Sequence, residues 1–431
     1  MGATEIDGTA VLERVRELPG GPQLLAVAER REDAELIGGA VRDVLLGGRP
    51  RELDVVVAGD ADALASALSD AIGAAAEEPA QAGVQSGRHE RFRTAAVKWE
   101  GGEIDIATRR AESYPAPGAL PVVEEGTPEQ DRRRRDFTVN TISVALGRAR
   151  RGELGSAPGA LEDLRGRRLR VLHDQSFRDD PTRLMRLARY RSRLGFEPDE
   201  HTAALAAEAI GDGALATISR ARYGAELRLA LAEPEPVAAL GALEQLGALA
   251  TLHPAAWLDP ELAREALAEL PADGRADVLL LAALLLPLAS GEERAEEALR
   301  AALEGLELSA GERDGVVSTA AAAPLLPEPL AEARTPSQIR EHLRTATIEA
   351  VALAAALAHA RALPEGVAAA RHWLGELRFV RLQIGGDDLL AAGIAPGPEI
   401  GARLERALRR RLDGELAEGP AAELRAALEG S

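Results

Sequence analysis

The string Arg51-Glu52-Leu53-Asp54-Val55-Val56-Val57 sets two carboxylates two residues apart at the head of an apolar, β-branched run. On a strand, residues i and i+2 share a face, so Glu52 and Asp54 point the same way, about 6.6 Å apart along the chain. Carboxylates that close repel one another unless a cation lies between them, and hard oxygen ligands with room for water suit Mg2+. A polar outer strand face has the same pattern. Asp105, in Glu103-Ile-Asp-Ile-Ala107, adds a third carboxylate between apolar neighbours on a second strand-like run. Three strand-borne carboxylates can hold two metal ions, one activating an attacking hydroxyl and the other stabilising a leaving phosphate. That chemistry needs neither Cys, which is absent, nor the 7 scattered His. His173-Asp174 has no second His–Asp set nearby and reads as structural.

Just upstream, Leu36-Ile37 runs into Gly38-Gly39 and then a helical Ala40–Leu46. Two glycines at a strand-to-helix turn permit close backbone approach, and a helix start offers N–H groups to a phosphate. Arg42 on the first helical turn adds a charge-assisted donor. The same residues fit a plain turn with Arg42 paired to Asp43 or solvated. Further on, Asp180 and Arg183 in Asp179-Asp-Pro-Thr-Arg-Leu-Met-Arg-Leu-Ala-Arg189 are i and i+3, one face of a helix, where an intrahelical ion pair is the simplest reading. Arg186 and Arg189 continue that face and can reach phosphates.

The elements expected to position these groups are of two kinds. The first third reads as mixed α/β: helices near Ala10–Leu18 and Leu24–Arg31, strands at Leu36-Ile37 and Leu53–Gly59, and a helix over Asp60–Ala76 capped by Asp60. Phe92–Trp99 and Glu103–Ala107 form a hairpin about Gly101-Gly102, and the Pro/Gly-rich Tyr114–Gly126 is expected to be a loop. From about Gly195 onward, long Ala/Leu segments alternate with Pro and Gly breaks, which predicts an all-helical region. Within it, Ala276–Ala289 reads as a buried helix.

A chain of 431 residues with 46% hydrophobic and 28% charged residues excludes wholesale disorder, and at 3% aromatics its core must be mainly Leu, Ala and Val. The net charge of −19 is unevenly placed: Asp131–Gly195 holds 17 Arg against 8 acidic residues, which leaves −28 for the rest. A basic centre between acidic flanks suggests an anionic ligand held at one place. No apolar run approaches the length of a membrane span and no leader-like start is seen, so a soluble cytoplasmic protein is expected.

The order G-G-x-V-R-D, an acidic-x-acidic strand, then Arg134-Arg-Asp-Phe-Thr-Val-Asn140 resembles the class II tRNA nucleotidyltransferases and bacterial poly(A) polymerases. Leu169–Phe196, Ser219–Glu226 and Asp388–Gly401 continue the match in order. The resemblance implies an α/β nucleotidyltransferase head (a polymerase-β-like palm) over 1–147, a helical neck over 148–235 and a helical body and tail over 236–431. It further implies that Gly38, Gly39 and Arg42 hold a triphosphate, that Glu52, Asp54 and Asp105 bind two Mg2+, and that Arg134, Arg135 and Asn140 lie near triphosphate and ribose. Asp136 is expected to hold arginines in place. Asp180 and Arg183 are expected to read the base. Glu52 departs from the family's usual Asp, one methylene longer.

The implied activity is template-independent addition of CCA to tRNA from CTP and ATP, with no membrane and no obligate protein partner. The alternatives are A-only addition to tRNAs ending in CC, poly(A) polymerisation, and a non-catalytic RNA-binding protein. The segment Thr108–Gly126 resembles one possessed by CCA- and A-adding members, which argues against CC-only addition. Arg403, Arg406, Arg409, Arg410 and Arg411 near the end either meet RNA backbone or are ordinary helix residues.

Overall fold

The computed structural model describes residues 7–50, 52–75, 84–89, 94–289 and 295–429. Arg51, at the head of the acidic motif, and Ala76 and Phe92, expected at the ends of two elements, lie outside these residues. The chain divides into two compact units, Met1–Ile218 and Ser219–Ser431.

The first unit is built on β1 (Glu35–Ile37), β2 (Leu53–Val57), β3 (Gln85–His89), β4 (Thr94–Trp99), β5 (Gly102–Thr108), β8 (Ser143–Ala145) and β9 (Leu154–Gly155). They form one mixed sheet in the order β3-β4-β5-β2-β1-β8-β9. Only β2 and β5 run parallel within it, with Asp54 opposite Asp105; the other neighbours are antiparallel. Helices α1 (Gly8–Arg16), α2 (Gly21–Ala28), α3 (Gly39–Leu45) and α4 (Ala61–Ala75) belong to this layer. Leu64, Ala65, Leu68 and Ile72 give α4 an apolar stripe, which packs on β4, β5 and α2. Asp60 accepts from the amides of Asp62 and Ala63 and caps the helix as its sequence predicts. Strand residues Leu36, Ile104 and Ile106 are wholly buried, leaving the alternate Asp105 to the other face.

The expected loop at Tyr114–Gly126 is instead the tip and return strand of a hairpin. Here β6 (Arg110–Ser113) pairs antiparallel with β7 (Val122–Glu125). Pro115, Pro117, Gly118 and Pro121 are confined to the connection, so their turn signal overstated the loop. A short helix α5 (Pro128–Arg133) follows, with a Thr127–Gln130 capping box. Then come α6 (Ala160–Arg165), α7 (Ser176–Asp179), α8 (Thr182–Leu194) and α9 (Glu200–Gly211). Two short strands, β10 (Arg168–Leu169) and β11 (Glu197–Pro198), pair in parallel beside them.

Asp180 does not lie on a helix with Arg183. It has extended backbone (φ −133, ψ 92) between α7 and α8, because a residue preceding proline is driven from the helical region. Its Oδ1 accepts from both the amide and the hydroxyl of Thr182, stabilising the start of α8.

The second unit is helical. Ile348–Ala360 is apolar on nearly every face and accordingly central, with Ala350–Ala356 all buried. The expected buried helix at 276–289 is two: Ala276–Leu284 and Leu286–Ala289, broken where Pro287 removes an amide donor. Near the end, Ile384, Leu389, Ala407, Ala426 and Ala427 form a small separate core. There Arg403 donates to the carbonyls of Ala427 and Leu428, Arg406 to that of Glu429, and Arg410 to the Glu429 carboxylate. These cations thus complete the C-terminal end of helix Pro420–Leu428. Arg411 lies 3.3 Å from the fully buried Glu423, and Arg409 donates to Glu341. Among the described residues, no helix is long and apolar enough to cross a membrane.

Candidate active site

Asp54 and Asp105 are register partners on adjacent parallel strands, which separates their backbones by about 4.8 Å. Glu52 lies in the exposed bend before β2 and not on the strand itself. Burial pushes the Asp54 carboxyl up to about 6; the negative charges of Asp105 and Glu52 add to this, against the opposing pull of Arg135 and Arg186. Asp54 therefore feels both other carboxylates. Among the described residues, no three His, Asp or Glu side chains close round one point. The convergence is the Asp54–Asp105 pair, with Glu52 acting on it from the turn. An elevated carboxyl beside a second carboxylate is the donor set a hydrated divalent cation relieves, so the residues fit Mg2+.

Gly38 lies against Asp54 of this pair. Its φ of +80 joins β1 to α3, and a β-carbon there would stand 3.3 Å from Nη1 of Arg135 and 3.8 Å from Oδ2 of Asp54. A side chain at Gly38 would combine left-handed strain with crowding of two charged groups. Arg42, by contrast, points into the protein and is 1% exposed. Its Nε and Nη2 donate to Oδ1 of Asp43 at 2.8 and 2.6 Å, and Nη1 donates to Oδ1 of Asn140. The pairing to Asp43 that the sequence left open is thus present, and Asn140 is bound to the same guanidinium.

The arginine run is held by Asp131, which the sequence reading did not single out, while Asp136, expected to hold arginines, takes Arg186 from α8. Asp131, buried on α5, accepts from Nε of Arg134 at 3.0 Å and Nη2 of Arg135 at 3.2 Å. Asp136 holds a different set: the Asn140 side-chain amide at 2.8 Å, the Phe137 amide, and Nε of Arg186 at 2.8 Å. Burial would raise the Asp136 carboxyl, but Arg186 and these hydrogen bonds keep it well below the usual range. Tyr190 then gathers the cations. The guanidinium carbons of Arg42, Arg189 and Arg186 lie 5.1, 5.1 and 5.5 Å from its ring centroid. Its hydroxyl accepts from Arg186 Nη2 at 3.0 Å, and Phe137 meets the ring edge-on.

Arg183 is 3% exposed. Nη1 donates to the hydroxyl and carbonyl of Ser176, and Nη2 to the main-chain carbonyl of Arg134 at 2.5 Å. The guanidinium is therefore fixed in orientation, with its fork shared between α7 and the arginine run.

Residues 34–170, which carry the carboxylates, the glycine turn and the arginine run, match the poly A polymerase head domain. Similarity extends beyond it: over 225 residues the chain is 39% identical to the A-adding tRNA nucleotidyltransferase of Geobacter sulfurreducens, covering 52% of this chain and 24% of the relative. Over 214 residues it is 39% identical to the CC-adding tRNA nucleotidyltransferase of Deinococcus radiodurans, covering 49% of this chain and 54% of the relative. The chain thus spans about half or less of the length of these curated relatives. The solved Thermotoga maritima CCA-adding enzyme complexed with tRNA has the same fold, with TM-score 0.75 and 25% identity over 98% of this chain and 99% of that one. The family resemblance seen in the sequence holds, as does the mixed-sheet head followed by a helical remainder.

Within the head domain, the β6–β7 hairpin is tied to the same network. Glu112 Oε1 accepts from Arg110 Nε at 2.9 Å and Arg134 Nη1 at 3.3 Å, while Oε2 accepts from the Tyr114 hydroxyl at 2.9 Å. Burial raises the Tyr114 phenol, which also senses the charges of Glu112, Arg183 and Asp180. The Gly118 amide donates to the carbonyl of Arg178 on α7. The hairpin therefore docks on α7, whose Ser176 accepts from Arg183. Asp131, Glu112, Ser176 and Tyr190 were missed by sequence reasoning. Asp131 had a signal, standing i−3 and i−4 from Arg134 and Arg135.

Proposed function

We propose that this chain is a cytoplasmic tRNA nucleotidyltransferase that adds CCA to tRNA 3′ ends from CTP and ATP without a nucleic-acid template, releasing pyrophosphate. The observation that carries this reading is the Asp54–Asp105 register pair, with Asp54 against Gly38 and facing the charge of Arg135. Residues 1–147 serve as head, 148–235 as neck, and 236–431 as tRNA-binding body and tail.

Glu52, Asp54 and Asp105 would hold two Mg2+. When bound, these ions make the tRNA 3′ hydroxyl easier to deprotonate and offset charge on the phosphate undergoing transfer. The chain's own residues do the rest. Gly38 keeps the floor of the cradle open to a triphosphate. Arg135 and the guanidiniums gathered at Tyr190 supply positive charge beside it, held by Asp131, Asp136 and Asp43 so that they do not reorganise when the anion arrives.

Arg183 and Asp180 read the base. Arg183 donates to cytosine O2 and N3 or to adenine N1, and Asp180 accepts from the exocyclic amine of either. Uracil would set a carbonyl against the carboxylate, an unsatisfied pairing that costs about 1–3 kcal/mol. The bonds from Arg183 to Ser176 and Arg134 support this role, since a fixed fork discriminates better than a mobile one.

A second reading is addition of the terminal A alone, the activity named for the Geobacter relative. The docked hairpin supports either reading over CC-only addition. The test gives purified protein, Mg2+, CTP and ATP to two tRNAs, one ending at the discriminator base and one ending in CC. Extension of both to CCA is expected. Extension of the CC-ended tRNA alone establishes the second reading. Unlimited A tails on unstructured RNA would show a poly(A) polymerase, and no incorporation at all a binding protein.

A further inference from the structure

Beyond the nucleotide cradle, the first unit has a second basic recess. A groove of about 320 Å³ runs between the end of α3 and the turn that leads from α8 into β11. Arg49, Arg167 and Arg193 line it together with Asp43, over an apolar floor that includes Leu46 and Phe196. Asp43 brings no net negative charge to the groove. Its Oδ1 is held by Arg42 and its Oδ2 by Nη2 of Arg193 at 2.7 Å. Arg49 and Arg167 differ from most arginines of this chain, for among the described residues neither guanidinium has a hydrogen-bond or ion-pair partner.

Arg167 is also held in an uncommon backbone conformation. Its φ is +51, in the region that favours glycine, and the peptide is clamped on both sides. Its amide donates to the carbonyl of Leu164, and its carbonyl accepts from the amide of Glu197. A left-handed arginine costs about 1 kcal/mol relative to glycine at such a site, so folding alone does not select it. The fold places this exposed cation at the groove at some expense in stability.

We propose that the groove binds the phosphodiester backbone of an RNA strand, with Arg49 and Arg167 each neutralising one phosphate and the apolar floor meeting ribose. The Arg42–Asp43–Arg193 chain links its wall to the cradle at Gly38, which puts a bound strand beside the reacting end. The inference rests on the proposed tRNA substrate, and it adds a contact that the nucleotide-binding residues do not make.

The experiment uses the full chain and fluorescence anisotropy with a labelled tRNA acceptor-stem hairpin, titrated at several KCl concentrations. The variant Arg49→Gln/Arg167→Gly removes both charges, and glycine relieves the strained φ at 167, so its melting temperature stays at or above wild type. Loss of two phosphate contacts lowers the salt-dependence slope by about two. Kd rises about tenfold or more near 0.15 M salt, and KM for ATP at saturating RNA stays unchanged. Arg49→Lys/Arg167→Lys keeps the charge and restores the slope. An unchanged RNA Kd and slope, with wild type still extending tRNA, overturns the groove while leaving the proposed reaction intact. A rise in ATP KM or weaker inhibition by pyrophosphate, with RNA binding unaffected, overturns it in favour of a nucleotide or pyrophosphate site. Failure of wild type itself to bind or extend RNA removes the functional reading as well.

Discussion

Arg183 donates from Nη2 to the main-chain carbonyl of Arg134 at 2.5 Å, so the helix expected to read the base is anchored to the arginine run of the head domain. Replacing Arg183 by Lys keeps the charge but loses the planar fork that spans Ser176 and Arg134. The expected result is a 10- to 100-fold loss, about 1–3 kcal/mol, in discrimination of CTP and ATP against UTP. Ratios of kcat/KM for the three nucleotides check it. An equal loss for all three would mean that Arg183 only supports α8.

The Asp54 carboxyl gives a pH prediction for metal-free protein. Its pKa is about 6 when folded against 3.8 for the ordinary group, so the folded chain holds the proton more tightly. The stabilisation from that proton is complete below pH about 4 and is lost as pH rises through about 6. Asp54→Asn cannot lose it. In EDTA the variant should therefore match wild type near pH 4 and exceed it at pH 8 by up to about 3 kcal/mol. Urea unfolding at the two pH values measures this, and a variant less stable than wild type at pH 8 contradicts it.

Tyr190 should matter for nucleotide affinity more than for turnover. Tyr190→Phe loses the acceptor for Arg186 and should raise KM for ATP about 3- to 10-fold. Tyr190→Leu removes the ring that three guanidiniums face, and a rise of about 10- to 100-fold is expected. In both, kcat should stay within about twofold. A parallel fall in kcat with unchanged KM would assign the ring a purely structural role.

These cases show what was legible in the sequence. The glycines after Ile37 could be read because turn chemistry is local, whereas the strand alternation expected of Glu52 and Asp54 fails because Glu52 lies in the bend before β2. The Asp54–Asp105 pairing could not be read, because parallel neighbours are chosen by the whole sheet across an intervening helix and two strands. The pairing of Asp131 with Arg134 and Arg135 was readable from helical spacing, but with 17 arginines in the central segment only packing decides that Asp136 takes Arg186. The break at Asp180 was legible and overlooked, since Pro181 stands next to it and restrains its backbone.

Glu112 joins the hairpin to this network through Arg110, Arg134 and Tyr114. Glu112→Ala should loosen the hairpin near the residues proposed to read the base and lower AMP incorporation about tenfold more than CMP incorporation, the loss of one to two charge-assisted bonds. Single-turnover rates on tRNAs lacking CA or only A measure the two steps separately. Equal effects on both would confine the hairpin to a scaffolding role.

The parallel register of β2 and β5 has an evolutionary corollary. Side chains alternate faces at every step, so sliding β5 by one residue would turn Asp105 away from Asp54 and leave Ile104 or Ile106 in its place. The crossover that returns the chain from β2 to β5 can lengthen or shorten at little cost, since loop closure varies only slowly with length. Insertions in this connection are thus tolerable between homologues, whereas a single-residue shift of frame in β5 is not.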